Sequence, residues 1–88
     1  MKLLFNERGW SDYLALRVED PKAHAKLEGL IAECLRHPFT GTGKPEPLKQ
    51  NFKGYWSRRI TQEHRLIYSV YGLGDEQTLM IAQCMKHY

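Results

Sequence analysis

Glu46 stands between Pro45 and Pro47, with Lys44 and Lys49 close by in sequence. Two prolines stiffen the chain around this carboxylate, which suits a group held in place as a general base. Arg59 and Arg65 flank a short polar stretch from Gln62 to His64. An antiparallel pairing of their segments would bring two guanidiniums together, able to grip one phosphate bidentately. His87 and Tyr88 stand at the end of the sequence. There an imidazole titrating near pH ~6.5 could donate a proton, and a phenol could stack or hydrogen-bond. A base, cations and an acid are the three requirements for attack of a ribose 2'-hydroxyl on the neighbouring phosphorus. Each has a plainer reading: an exposed loop glutamate, solvated surface arginines, a frayed chain end.

Other chemistries find less support. Cys84 and His87 form the one close pair of soft ligands, and His24, His37 and His64 show no metal-ligand spacing, so neither a metal nor another cofactor is expected. Gly41-Thr42-Gly43-Lys44 lacks the spacing of a phosphate loop, with no strand leading in and no helix following. His64 is a second candidate acid or base, ranked below His87 as a turn residue. Cys34 and Cys84 are expected to be buried free thiols.

The formal net charge of +3 is unevenly spread. Lys44, Lys49, Lys53, Arg58, Arg59 and Arg65 face only Glu46 and Glu63 between positions 44 and 65, while the rest of the chain is slightly acidic. Cations interleaved with Phe52, Tyr55 and Trp56 suit a phosphate backbone with stackable bases, and Lys44, Lys49, Arg58 and Arg59 are assigned to substrate binding. A solvated face is the plain alternative.

The elements that must position these residues follow from spacing. Lys2 to Phe5 reads as a strand, Asn6 as a helix cap, and Trp10, Tyr13, Leu14 and Val18 as one buried helical stripe. Asp20-Pro21 opens a second helix whose stripe is Ala23, Leu27, Leu30, Ile31 and Cys34, ended by Pro38. Phe39 to Pro47 reads as loop. Gly54 to Thr61, Arg65 to Tyr71 and Thr78 to Cys84 read as strands joined by tight turns, Gly72 to Glu76 being the second. The expected fold is α+β, a single domain over residues 1–88: a two-helix hairpin packed on one face of an antiparallel sheet. Alternation puts Tyr55, Ser57, Arg59 and Thr61 on one sheet face and Trp56, Arg58 and Ile60 on the other. At this length burial is limited to roughly 60 to 65% of the unfolded surface, so a partner or dimer interface would help. No apolar run reaches the ~20 residues of a membrane span, and Met1 to Phe5 is too short for a signal peptide, so a cytoplasmic location is expected.

The runs Gly41-x-Gly43-Lys44-Pro45-Glu46-Pro47-Leu48-Lys49 and Gly54-x-Trp56-Ser57-Arg58-Arg59-Ile60-Thr61-x-Glu63-His64-Arg65-Leu66-x-Tyr68, with the terminal His87-Tyr88, resemble the YoeB (Txe) toxins of the RelE/ParE superfamily. The resemblance implies a microbial RNase-like fold and a type II toxin that cleaves mRNA in the ribosomal A site, without a cofactor. It further implies neutralisation by a YefM-like (Axe-like) antitoxin, and a homodimer. Carried across, Glu46 matches the general base, Arg65 the phosphate stabiliser, His87 the general acid and Tyr88 a substrate-orienting aromatic. Lys49 and Arg59 match basic positions that hold RNA or the transition state. Acid and base remain interchangeable at this stage. A different class also stays open: a non-nucleolytic ParE-like binding toxin, or a module that only binds an antitoxin.

Overall fold

The computed structural model describes residues 1–86. The chain runs β1 (Lys2–Phe5), α1 (Glu7–Glu19), α2 (Pro21–Arg36), β2 (Glu46–Pro47), β3 (Trp56–Arg59), β4 (Arg65–Tyr71) and β5 (Thr78–Gln83). The strands form one sheet in the order β1-β5-β4-β3-β2. Both helices cover one face, giving the expected α+β hairpin-on-sheet architecture.

Two expectations need correction. The sheet is mixed, because β1 runs parallel to β5, Lys2 opposite Thr78 and Phe5 opposite Ile81. The N-terminal strand thereby covers the edge that β5 would otherwise expose. Secondly, the segment expected to be all loop ends in a strand: Glu46 pairs with Ser57 and Pro47 with Trp56, antiparallel. Pro47 is tolerated because β2 is an edge strand, where a missing N–H need break no ladder.

Helix α2 follows its sequence pattern. Asp20 accepts from the Ala23 N–H as N-cap, Pro21 takes the first turn, and Ala23, Leu27, Leu30, Ile31 and Cys34 are all buried. Helix α1 does not follow its pattern. Asn6 caps it through Gly9 N–H at 2.7 Å, but the buried residues are Gly9 and Leu16. Trp10 is 49% exposed and Val18 79% exposed. The reason is the close approach of α1 to β5 at Gly9, where an added Cβ would collide with the Ile81 carbonyl. That contact rotates the helix so that Gly9 and Leu16 face inward. Asp12, on the same face, accepts from Cys84 N–H at 3.1 Å. Trp10 stacks on Tyr13 at the surface beside Phe5. Gly9→Ala is therefore expected to cost ~1–3 kcal/mol by overpacking. Thermal melting checks it, and an unchanged midpoint would remove the close-approach argument.

The core joins Leu16, Leu27, Leu30, Ile31 and Cys34 to Ile60, Leu66, Tyr68, Leu79 and Ile81. Cys34 and Cys84 are buried and free, as expected. Burial, reinforced by the Asp12 carboxylate, pushes the Cys84 thiol up to about 12, and burial does the same to the Tyr68 phenol. Both acids ionise more readily in the unfolded chain. Their contribution to stability is whole below the unfolded values of 9.0 and 10.0, and is lost as pH rises toward about 12. Urea midpoints should fall between pH 8 and pH 10.5, and thiol reagents should label the native protein far more slowly than the unfolded chain. Equal labelling rates would contradict the burial. Among the described residues no helix is long and apolar enough to cross a membrane.

Candidate functional site

The sheet face away from the helices carries the charged residues of interest. On β3, Trp56 and Arg58 turn toward the helices, as does Ile60 just after the strand, while Ser57 and Arg59 face the open side. Arg59 pairs directly with Arg65 on β4, so the short turn sets the two residues opposite each other on the same sheet face. One step along, Glu46, Ser57 and Ile67 form a second row across β2, β3 and β4. Strand spacing of about 4.8 Å and a rise of about 3.4 Å per residue put the Glu46 and Arg65 Cα atoms roughly 12 Å apart. Side chains of their length can meet over that span.

Glu46, Lys49, Lys44 and Arg59 are exposed, and Arg65 is half-buried. Lys44 and Arg59 line one cleft of about 630 Å³, with Lys26 on its α2 wall. Ser57 is fully buried, and its hydroxyl, like the Arg65 Nε, has no hydrogen-bond partner among the described residues. Ser57 was not singled out from the sequence. Its alternation with Arg59 was the available signal, but the significance of its place became visible only with Glu46 paired opposite.

Arg58 departs from its expected role in binding substrate. It is fully buried on the helix side, and every one of its N–H groups has an acceptor. Nε donates to the Tyr68 hydroxyl at 3.3 Å, Nη1 to Glu33 at 2.5 Å and the Thr42 carbonyl at 3.0 Å, and Nη2 to the carbonyls of His37 and Thr40. Burial pulls the guanidinium's pKa down, but the hydrogen bond with Tyr68 and its other partners outweigh that and leave it raised. Tyr68 in turn donates to the Pro38 carbonyl at 2.6 Å. Glu33 accepts from the backbone and hydroxyl of Thr42, and these bonds, with Arg58, hold its carboxyl below the usual range. Gly41, at φ +116°, passes so close to the Glu33 carboxylate that a side chain would strike it. One buried cation thus gathers the loop that leads into Glu46.

His87 and Tyr88 lie outside the described residues. The chain just before them is fixed: Arg65 N–H donates to the Lys86 carbonyl at 3.1 Å, and Lys86 N–H donates to His64 Nδ1 at 2.8 Å. His64 is buried, so the residue expected to be a turn histidine is an anchor for the end of the described chain. An Nδ1 that accepts from a backbone N–H carries its proton on Nε2, where Glu63 lies 3.7 Å away. Among the described residues no three His, Cys, Asp or Glu groups converge as a metal site would require.

Residues 5–88 match the family described as YoeB-like toxin of bacterial type II toxin-antitoxin system. The chain belongs to the YoeB toxin family. Toxin YoeB of Escherichia coli strain K12 is 49% identical over 88 residues, covering all of both chains. Toxin RelK of Mycobacterium tuberculosis is 43% identical over 84 residues, covering 96% of this chain and 94% of its own. Among solved structures, the YoeB/ParE toxin from Agrobacterium tumefaciens superposes with a TM-score of 0.94 at 48% identity, over the full length of both. YoeB in the heterotetrameric YoeB-YefM complex from Staphylococcus aureus gives 0.83 at 38% identity, covering 100% of this chain and 98% of that one. The YoeB resemblance read from the motifs therefore holds, and this YoeB-family protein is a toxin of a toxin-antitoxin system. Its Glu33-Arg58-Tyr68 cluster lies under the same Gly-Lys-Pro-Glu-Pro run that carried the resemblance.

Proposed function

We propose that this toxin is a ribosome-dependent endoribonuclease that cleaves mRNA in the ribosomal A site by acid-base chemistry of its own side chains. Glu46 takes the proton from the ribose 2'-hydroxyl, and the oxygen attacks the adjacent phosphorus. Arg65, with Arg59 beside it, neutralises the charge that builds on the phosphorane. His87 protonates the departing 5'-oxygen, and Tyr88 orients the substrate. Lys44 and Lys49 hold the flanking backbone. The products are a 2',3'-cyclic phosphate, opened in turn to a 3'-phosphate, and a 5'-hydroxyl end. No metal is needed, because base, cations and acid are all side chains. The toxin acts in the cytoplasm as a homodimer and is neutralised by a YefM-like antitoxin, the kind of partner seen with the Staphylococcus aureus YoeB.

The observation that carries this reading is the pairing of Arg59 with Arg65 one step from Glu46 on an open sheet face. The backbone of Lys86, the last described residue, is anchored to Arg65 and His64, which supports a role for the chain end near this face. Arg65 Nε and the Ser57 hydroxyl, without a hydrogen-bond partner among the described residues, fit the same reading, since the oxygens of a phosphodiester would offer acceptors to both. Primer extension on translated and on naked mRNA tests the proposal. Breaks confined to codons entering the A site are expected on the translated message. Growth arrest with no cleavage of either message would favour a binding toxin instead.

A further inference from the structure

The open sheet face is not uniformly polar. Beyond Ile67, on the side away from Arg65, Leu48, Ile67 and Ala82 form a second small apolar cluster, with Phe52 and Tyr55 packed against it. The chain's own Phe52 and Tyr55 pack on this floor, so that Leu48, Ile67 and Ala82 are themselves buried. The cluster borders a cavity of about 340 Å³, within the roughly 300–1,000 Å³ typical of small-molecule sites. Phe52 and Tyr55 wall it, and Asn51, Gln83 and Arg8 stand on its rim. The ladder between β4 and β5 is irregular at this place: Tyr68 pairs with Ile81 but Ile67 with Gln83, leaving Ala82 as the extra residue. Such bulges re-aim side chains, and this one brings both Ala82 and Gln83 to the cavity.

We infer that this cavity is a nucleobase subsite that receives the base on the 5' side of the scissile phosphate and sets base preference. The inference rests on the nuclease reading for its placement. Ile67 lies two residues, about 6.8 Å, along β4 from Arg65, within one nucleotide of the paired arginines. Its neighbour Ser57 stands opposite Glu46. A ribose presenting its 2'-hydroxyl to Glu46 therefore directs its base across Ile67. Aromatic walls stack on any base, whereas carboxamides and a guanidinium read the donors and acceptors of its edge. Tyr55 supplies stacking, and Gln83 and Asn51 supply the discrimination.

Titration of the full-length chain with the four nucleoside 3'-monophosphates, followed by NMR, tests the inference without requiring cleavage. The side-chain amides of Gln83 and Asn51 and the ring of Tyr55 should shift, with affinities that differ among the bases. Inorganic phosphate alone should move only signals near Arg59 and Arg65. Tyr55→Leu should weaken nucleotide binding at least about fivefold, and Gln83→Ala should bring the four affinities together while the backbone spectrum stays that of the folded protein. Shifts confined to Arg59 and Arg65, or unchanged base discrimination in Gln83→Ala, would overturn the subsite. Nucleotide binding in the cavity without mRNA cleavage would retain the subsite and reject the nuclease reading.

Discussion

Replacing Glu46 with glutamine is expected to lower mRNA cleavage by about 10²- to 10⁴-fold, the usual contribution of a positioned general base. The melting temperature should barely change. Glu46 is exposed on a two-residue edge strand, and among the described residues no hydrogen bond or ion pair engages its carboxylate. Surface substitutions of that kind stay within roughly 0.5 kcal/mol. Glutamine keeps the shape and the backbone pairing with Ser57 and removes only the basic oxygen. Glu46→Ala should lose as much, since shape without basicity gives nothing to the proton transfer. Induced expression supplies a cellular counterpart: the wild-type chain arrests growth and Glu46→Gln does not. His87→Gln should remove the basic limb of the pH-rate profile where Glu46→Gln removes the acidic one, which would also settle which group is base and which acid. Growth arrest undiminished by both changes would end the nuclease proposal.

Sequence patterning reached the parts of this fold in which one local rule decides the outcome. The stripe on α2 was legible because every residue on it meets the same apolar layer, and its Asp-Pro start has one sensible reading. The Arg59-Arg65 pairing was legible because the turn between them is too short for another register. Alternation also divided Arg58 from Arg59, yet could not say which one faces inward. A buried guanidinium needs acceptors, and those of Arg58 come from Glu33, Thr42, Thr40 and His37, between 16 and 25 positions away. No local pattern carries that information. The same holds for α1, whose rotation is set by contact of Gly9 with a strand more than seventy residues later. It holds too for His64, whose partner is the backbone of Lys86. Charge counting grouped the exposed cations with one, Arg58, that serves the interior.

The interior cation leads to the second large effect. Arg58→Met is expected to destabilise the fold by about 3–5 kcal/mol, the usual result of removing one partner from a buried ion pair. For a domain of this size that is a large share of a total near 5–15 kcal/mol. Methionine fills much of the volume, so the loss falls on polar groups: the carbonyls of His37, Thr40 and Thr42 and the Tyr68 hydroxyl all lose a donor. Arg58→Lys should recover little, because three ammonium protons cannot serve five acceptors in a planar fork. Glu33→Ala tests the pair from its other side. Glu33 is about a quarter exposed, so water can partly replace it, and the expected loss is smaller than that of Arg58→Met. The ordering of the three urea midpoints is therefore Glu33→Ala above Arg58→Lys, and Arg58→Lys above Arg58→Met. An Arg58→Met midpoint equal to wild type would show that the 37–42 loop does not depend on the guanidinium. In that case the arm that holds Glu46 in place would rest on its prolines and on its pairing with β3.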